Sequence, residues 1–266
     1  MKQILSIVAI LLVAISCKNE AQKVETQEKV STVENQMPKV DYSAYPEELI
    51  KVFKAHGGLE TWKSMRSMTY QLNEQSTVTD LQNRNILLET DNYMIGGNDG
   101  KVWIAQDSTY FDPGRARFYH NLMFYFYAMP FVLSDDGINY SPEDSLTYKN
   151  ETFPGIKISY NEGIGDAPDD NYILFYDPSS YEMKWLAYTV TYGKNEESNN
   201  YSFIKYEDWN EVNGLLLPVK LQWYTVKDGK PDTPRGDARV FEKIDVDNAP
   251  MDNGMFKKPE NGIYVD

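Results

Sequence analysis

Most of the chain alternates between apolar and polar residues with a period of two, which is typical of β-strands that bury one face. In the first such run, polar residues separate Met68, Tyr70 and Leu72. The alternation predicts strands near residues 67–73, 85–90, 101–106, 156–160, 172–176, 184–192, 201–208, 215–226 and 239–246. Turn sequences such as Val212-Asn213-Gly214 separate these runs. Such short connections favour antiparallel pairing, because parallel strands need long crossovers.

Helical spacing replaces this alternation near residue 46. The apolar residues Leu49, Val52 and Phe53 follow Pro46 at positions that share one helix face, and proline suits the first turn of a helix. The pair Gly57-Gly58 predicts the end of this N-terminal helix, because glycine readily adopts the left-handed conformation found there.

A second helix is predicted over residues 113–129. Its apolar side chains recur at helical spacing, and five of them are candidate ligand-binding residues: Phe118, Leu122, Tyr125, Phe126 and Met129. The other face also carries aromatic residues, Phe124 and Tyr127, and a helix that is apolar nearly all round is buried on more than one side. We therefore expect it to lie on the concave side of a curved sheet. Its aromatic residues would there either line a ligand cavity or fill the core.

The start of the chain has the pattern of an exported protein. The apolar run 4–15 follows Lys2; it is too short to span a membrane and is typical of a signal peptide. Cys17 is the only cysteine of the chain, and the segment Ala14-Ile15-Ser16-Cys17 resembles a bacterial lipobox. The resemblance implies that Cys17 is acylated and anchors the protein in a membrane; the alternative is an unmodified thiol. Lys18 stands where inner-membrane lipoproteins of enteric bacteria carry Asp, which favours the outer membrane.

These patterns divide the chain into three segments. Residues 1–16 are the predicted signal peptide. Residues 17–44 are the lipidated cysteine and a polar tether that we expect to be disordered. Residues 45–266 are expected to form a single domain of α+β class, mostly β: an antiparallel curved sheet, or incomplete β-barrel, with the N-terminal helix and the central aromatic helix packed on its concave side.

The composition narrows the range of partners. The chain carries 40 acidic and 26 basic residues, for a net charge of −14, and this charge opposes binding to nucleic acids. Aromatic residues make up 14% of the chain, with 20 tyrosines. Tyrosine and phenylalanine favour strands, which supports the β-rich prediction.

The sequence contains none of the common catalytic or cofactor-binding motifs. G-x-S-x-G, H-E-x-x-H, C-x-x-C, Walker A and G-x-G-x-x-G are all missing from it, so we predict no catalytic residue, no metal ligand and no cofactor. Hydrogen-bonded structural roles are predicted for His56, next to helix-terminal carbonyls, and for His120. The loop of Asp166, Asp169, Asp170 and Asn171 is expected to be a solvated acidic loop rather than a calcium site. Two basic residues early on the central helix, Arg115 and Arg117, are expected to pair with acids; the alternative is an anionic ligand.

Three segments resemble parts of Lol-type lipoprotein-carrier domains. They are residues 56–62 (HGGLETW), residues 212–218 (VNGLLLP) and residues 255–262 (MFKKPENG). Together with the lipobox, they resemble an uncharacterised family of Gram-negative envelope lipoproteins that shares this half-barrel fold. The resemblance implies an apolar concave side, which in the carriers takes lipid-modified cargo.

Three functions remain open on these grounds. The first is a membrane-anchored envelope lipoprotein, on the periplasmic or the surface face, that binds a lipophilic ligand or a lipidated protein. The second is a non-catalytic surface lipoprotein that binds glycans or acts as a scaffold through exposed Tyr and Trp. The third is an envelope hydrolase that uses paired carboxylates, which leave no sequence motif. The aromatic helix within a β-meander favours the first, because a half-barrel must either fill its interior or hold a ligand.

Overall fold

Antiparallel strands dominate the part of the chain described by the structure, a computed structural model that covers residues 37–161, 169–192 and 198–265. The α-helices of this part are α1 (Glu47–Ala55), α2 (Leu59–Ser64) and α3 (Ala116–Tyr127). Its strands are β1 (Ser67–Leu72), β2 (Gln75–Asp80), β3 (Ile86–Glu89), β4 (Tyr93–Asn98), β5 (Lys101–Gln106), β6 (Ile138–Tyr148), β7 (Glu151–Tyr160), β8 (Tyr172–Tyr176), β9 (Met183–Tyr188), β10 (Ser202–Val212), β11 (Leu215–Lys227), β12 (Lys230–Pro234), β13 (Arg239–Asp247) and β14 (Ile263–Val265).

The strands form one open sheet. Its order is β14-β5-β4-β3-β2-β1-β13-β11-β10-β9-β8-β7-β6, with β12 beside β11. Strand β13 joins the two halves, because it pairs antiparallel with β1 on one side and with β11 on the other. The end strands β14 and β6 do not pair with each other among the described residues. The predicted fold, a mostly β protein of α+β class with an incomplete antiparallel barrel, is confirmed.

The alternation located most strands but missed β2, β4, β6, β12 and β14. In β2 the buried side chains of Gln75, Thr77 and Thr79 are polar, so the inward face has no apolar pattern. Strand β4 contains Gly96, where a Cβ would lie 2.2 Å from the ring of Trp103. The glycine that this close approach requires also removes the apolar signal from the strand. The strand predicted to reach residue 192 ends at Tyr188.

The N-terminal helix α1 has the predicted apolar face, and Leu49, Val52 and Phe53 are fully buried. The segments 56–62 and 212–218, which lie far apart in the sequence, meet just after this helix. The backbone N–H of Leu216 donates to the carbonyl oxygen of His56 at 2.9 Å. A Cβ on Gly57, whose φ is +107°, would lie 2.0 Å from a backbone oxygen of the β10–β11 turn. Glycine at this position is therefore required both by its backbone conformation and by the close contact.

Segment 255–262 also has a structural role. The carbonyl oxygen of Phe256 accepts a hydrogen bond from the indole nitrogen of Trp103 at 2.9 Å, and both side chains are buried. The ammonium group of Lys258 donates to the carbonyl oxygens of Pro259 and Gly262, each at 2.9 Å. The bond from Trp103 holds the C-terminal segment against β5, and the two bonds from Lys258 brace the segment internally before the final strand β14.

Helix α3 packs against both halves of the sheet. A short 3-10 turn, Pro113–Arg115, precedes it. The ring of Tyr127 lies 4.4 Å from that of Phe241 in β13, and the ring of Phe126 lies 4.8 Å from that of Tyr188 in β9. The position on the concave side that was predicted for this helix is therefore confirmed.

Contacts with the core begin before residue 45. Tyr42 lies in a 3-10 turn and donates a hydrogen bond from its hydroxyl to Glu60 at 2.7 Å. Val40 and Tyr42 pack against the core, and the compact unit starts at Met37. Because this stretch is mostly polar, its sequence does not indicate that Tyr42 packs against the core. The predicted signal peptide, Cys17 and the tether up to residue 36 lie outside the described residues.

Candidate functional site

A cleft of about 660 Å³ lies beside α3, between the helix and central strands of the sheet. This volume is in the range of about 300–1,000 Å³ that is typical of small-molecule sites. Besides the helix, the β1–β2 turn, the β3–β4 turn and the link between β12 and β13 contribute to its walls. The described lining residues are Leu72, Asn73, Glu74, Gln75, Thr90, Asn92, Tyr93, Phe118, Tyr119, Leu122, Met123, Phe126, Tyr188, Val190, Trp223, Arg235, Gly236, Asp237 and Arg239.

One face of α3 forms the apolar wall of this cleft. Phe118, Leu122 and Phe126 recur every four residues and so lie one above the other on the helix; Tyr119 and Met123 form the neighbouring row, and all five line the cleft. Phe126 and Met123 are buried, whereas Phe118 and Leu122 are only half-buried. The helix therefore fills the core with its C-terminal part and leaves apolar surface facing the cleft in its N-terminal part.

Aromatic residues of the sheet continue the apolar wall. The ring of Trp223 in β11 lies 5.9 Å from that of Phe126, and its indole nitrogen donates to the hydroxyl of Tyr188 at 2.9 Å. Burial raises the pKa of Tyr188, although the hydrogen bond from Trp223 opposes this rise. The Tyr188 hydroxyl is therefore neutral at physiological pH, and the wall carries no charge at this point.

The rim of the cleft carries charged side chains of both signs. Arg235 and Arg239 line it together with Glu74 and Asp237, and all four residues are exposed. Neither arginine forms an ion pair within the described residues. The two guanidinium groups are therefore available to an anionic partner.

A buried side chain positions the segment that carries Arg235. The amide nitrogen of Gln222 donates to the carbonyl oxygens of Trp223 at 2.9 Å, Gly236 at 3.2 Å and Arg235 at 3.4 Å. The backbone N–H of Arg235 also donates to the carbonyl oxygen of Trp223 at 2.8 Å. Gln222 is 8% exposed, so these bonds are shielded from water and fix the β12–β13 link against β11.

A polar contact links helix α3 to the β1–β2 hairpin inside the cleft. The hydroxyl of Tyr119 donates to the side-chain oxygen of Gln75 at 3.2 Å. Burial raises the pKa of Tyr119, and the positive charges of Arg239 and Arg115 oppose this rise. Arg115, one of the two basic residues predicted to pair with acids, forms no ion pair within the described ranges.

The structure separates the five candidate ligand-binding residues. Phe118, Leu122 and Phe126 line the cleft, whereas Tyr125 and Met129 are not among the described residues that line it. The hydroxyl of Tyr125 is hydrogen-bonded to that of Tyr160, and Met129 is fully buried in the core. A role of these five residues in binding a ligand stays a prediction.

The sequence patterns did not predict the residues that the sheet contributes to the cleft. These are above all Tyr188, Trp223, Arg235 and Arg239, which lie more than sixty residues after the helix face that they meet. One local signal was present, because residues 235–239 (RGDAR) place two arginines close together in an acidic chain.

The histidines have structural contacts. Nδ1 of His56 donates to the carbonyl oxygen of Val52 at 2.8 Å, and Nε2 accepts from the backbone N–H of Met183 at 3.4 Å. Burial lowers the pKa of His56 to about 4, so it acts as the predicted donor to a helix-terminal carbonyl in its neutral form. Nδ1 of His120 donates to the carbonyl oxygen of Arg117 at 2.7 Å.

The acidic loop differs from the prediction at Asp170. This side chain is buried and accepts from the backbone N–H of Thr191 at 2.6 Å and from its hydroxyl at 2.8 Å. The expectation of a fully solvated loop was therefore wrong at this residue, which holds the start of β8 against the end of β9. Asp166 lies outside the described residues.

Neither a metal-binding cluster nor a membrane-spanning helix is found in the described part of the chain. It contains no cluster of three or more His, Cys, Asp or Glu side chains that would hold a metal ion. None of its helices combines the length and the apolar character that crossing a membrane requires.

Comparison with protein families matches residues 63–232 to DUF6503, a family of unknown function. The chain belongs to the DUF6503 family. A search of curated proteins found no match to this DUF6503 member.

Solved structures similar to this DUF6503 chain include three bacterial proteins. A LolA superfamily protein from Nitrosomonas europaea is 10% identical, with a TM-score of 0.42 over 72% of this chain and 87% of the other. A DUF1329 family protein from Desulfovibrio piger is 7% identical, with a TM-score of 0.47; the match covers 77% of this chain and 95% of the other. A putative outer membrane lipoprotein-sorting protein domain from Vibrio parahaemolyticus is 4% identical, with a TM-score of 0.35; the match covers 73% of this chain and 88% of the other. Two of the three belong to the group that the sequence motifs resemble.

Proposed function

We propose that this DUF6503 protein is an envelope lipoprotein that binds the acyl chain of a lipophilic ligand, or of a lipidated protein, in the cleft beside α3. The observation that supports the proposal is the half-buried apolar surface of Phe118 and Leu122, which line a cleft of about 660 Å³ together with Trp223. Anchoring through an acylated Cys17 in the outer membrane is part of the proposal and rests on the lipobox alone.

The energetics of apolar surface support a ligand in this cleft. Full burial of a large apolar side chain stabilises by about 1.5–3 kcal/mol. Phe118 and Leu122 are half-buried, so the fold alone obtains only part of this gain. An acyl chain against them would remove more apolar surface from water without any change in the sheet.

A hydrolytic function has less support from the same cleft. The carboxylates that line it, Glu74 and Asp237, are both exposed at the rim. A catalytic carboxyl group usually lies in a cleft that excludes water and holds it against the substrate. Glu74 and Asp237 are instead open to solvent, which favours binding over acid–base catalysis.

Binding can be tested with the chain that starts at residue 17 and carries Cys17→Ser, because it lacks both the apolar run of the predicted signal peptide and the predicted acylation site. We expect it to bind the neutral fluorescent probe Nile red at micromolar concentration and to release it when laurate is added. Phe118→Asp and Leu122→Asp each place a charge in the apolar wall, where an unpaired charge is costly. They should weaken binding at least about tenfold, a change of about 1.4 kcal/mol.

A matched control keeps this test specific. Val226 is an apolar residue that is 47% exposed and is not among the described residues that line the cleft, so Val226→Asp should bind normally. Circular dichroism checks that each variant folds. If the parent chain binds neither Nile red nor laurate, or if Val226→Asp weakens binding as much as Leu122→Asp, the proposed site is wrong.

A further inference from the structure

We propose that the ligand of the cleft is an anionic amphiphile, a single acyl chain with a carboxylate or phosphate head group, and that Arg235 and Arg239 at the rim recognise this head group. This inference rests on the proposed function, because it assumes that an acyl chain occupies the apolar part of the cleft. It adds the chemistry of the head group and the residues that select it.

The first argument is the charge balance of the chain. Acidic residues outnumber basic ones, 40 to 26, and two carboxylates, Glu74 and Asp237, line the same cleft as Arg235 and Arg239. Even so, neither arginine forms an ion pair within the described residues. Both guanidinium groups are therefore open to an anion from outside the chain.

The second argument is the chemistry of the two side chains. A guanidinium group presents several N–H donors in a planar fork that fits carboxylate and phosphate oxygens bidentately. Arg235 follows directly after β12, and Arg239 begins β13. The buried amide of Gln222 positions the backbone of Arg235 and Gly236, and the backbone of Arg239 pairs with Leu221 of β11. The backbone that presents both arginines is thus positioned before any ligand binds, which lowers the entropic cost of binding.

The third argument is the arrangement of polar and apolar surface. The arginines lie at the rim, whereas the buried side chains of Phe126 and Met123 lie deeper. A ligand that meets both surfaces needs an apolar chain with an anionic end. Glu74 and Asp237 at the same rim repel an anion and also exclude ligands with several negative charges, so the balance favours a compact head group with one or two.

The experiment compares ligands that share one acyl chain and differ only in the head group. Laurate, lauryl phosphate, lauryl alcohol and lauryl trimethylammonium compete with Nile red for the Cys17→Ser chain. We expect laurate and lauryl phosphate to bind about tenfold more tightly than lauryl alcohol, and the cationic ligand to bind most weakly. Because the arginines are exposed, added salt should reduce this preference.

Two double variants test whether the arginines at the rim cause the preference for anionic head groups. Arg235→Gln with Arg239→Gln should lose the preference for the anions over lauryl alcohol. Lys227→Gln with Lys230→Gln removes the same number of positive charges from the neighbouring β11–β12 hairpin, outside the described lining of the cleft, and should keep the preference. Glu74→Gln should strengthen binding of laurate.

The outcomes separate this inference from the proposed function. If no lauryl compound binds the parent chain, the proposed function fails and the inference fails with it. If laurate and lauryl alcohol bind equally well, the acyl site stands and the assignment of the head group is wrong. The same conclusion follows if the arginine and lysine variants behave alike. Inorganic phosphate alone should displace no probe, because it lacks the apolar part; displacement by phosphate would identify a free-anion site and overturn the proposal.

Discussion

His56 makes the stability of this protein depend on pH between about 4 and 6.5. The side chain is fully buried, and its burial lowers the pKa to about 4 from an ordinary value of 6.5. In the unfolded chain the imidazole binds a proton near its ordinary pKa. The unfolded state therefore holds more protons between these two values, and stability falls as the pH falls through this window.

The size of the effect follows from the two pKa values. Each pKa unit of difference corresponds to about 1.36 kcal/mol. Below the folded-state pKa, His56 therefore lowers the free energy of unfolding by about 3 kcal/mol relative to neutral pH. Between pH 7 and pH 5 the same relation gives a loss of about 2 kcal/mol. Replacement of His56 by Gln keeps a donor and an acceptor but removes the titration. The variant should lose about 2 kcal/mol less than the parent chain over this range.

Urea unfolding at pH 7 and pH 5 measures this difference, because the free energy of unfolding extrapolates linearly to water. His120 is the only other histidine of the chain, and His120→Gln is the matched control because it leaves His56 in place. The contribution of His56 to the pH dependence should persist in this control. Equal pH dependence in His56→Gln and the parent would refute the argument that His56 is held neutral by burial.

Two further predictions concern the fold and the anchor. Gly57→Ala places a Cβ 2.0 Å from the carbonyl oxygen of Gly214 at a positive φ and should destabilise by about 2–5 kcal/mol, measured by urea unfolding; Gly229→Ala, with a positive φ and no neighbour within 4 Å, should cost much less. Cys17→Ala should release the protein from membranes and abolish labelling with a palmitate analogue, and equal membrane association of this variant would contradict the lipobox assignment.

The sequence was sufficient to predict the architecture where apolar residues point inward. In β1 the buried residues Met68, Tyr70 and Leu72 alternate with half-buried ones, and the period of two is visible. In β2 the inward positions are polar, and Thr77 and Thr79 are fully buried. Side-chain polarity alone does not indicate which face of such a strand is buried, so β2 was missed.

Edge position explains a second omission. Strand β6 ends the sheet and is exposed along most of its length. It contains Pro142, opposite Ile156 of β7, and proline normally argues against a strand except at a sheet edge. The sequence does not show which strand lies at the edge of the sheet. The polar composition and the proline therefore did not indicate a strand, and β6 was not predicted.

The sequence predicted only the wall of the candidate site that α3 forms. Helical spacing is a local property, and it placed Phe118, Leu122 and Phe126 on one face of α3. The residues opposite them, such as Trp223 and Arg235, come from β11 and from the link after β12. Their approach to the helix depends on the pairing of β13 with β11 and β1, a long-range contact that no local pattern encodes.

The proposed binding of an anionic amphiphile in the cleft is best tested by a crystal structure of the Cys17→Ser chain with laurate. We expect electron density for the acyl chain between Leu122 and Trp223, with the carboxylate within hydrogen-bonding distance of Arg235 or Arg239. Density for laurate elsewhere on the protein, or a cleft filled only by water at a saturating laurate concentration, would contradict it.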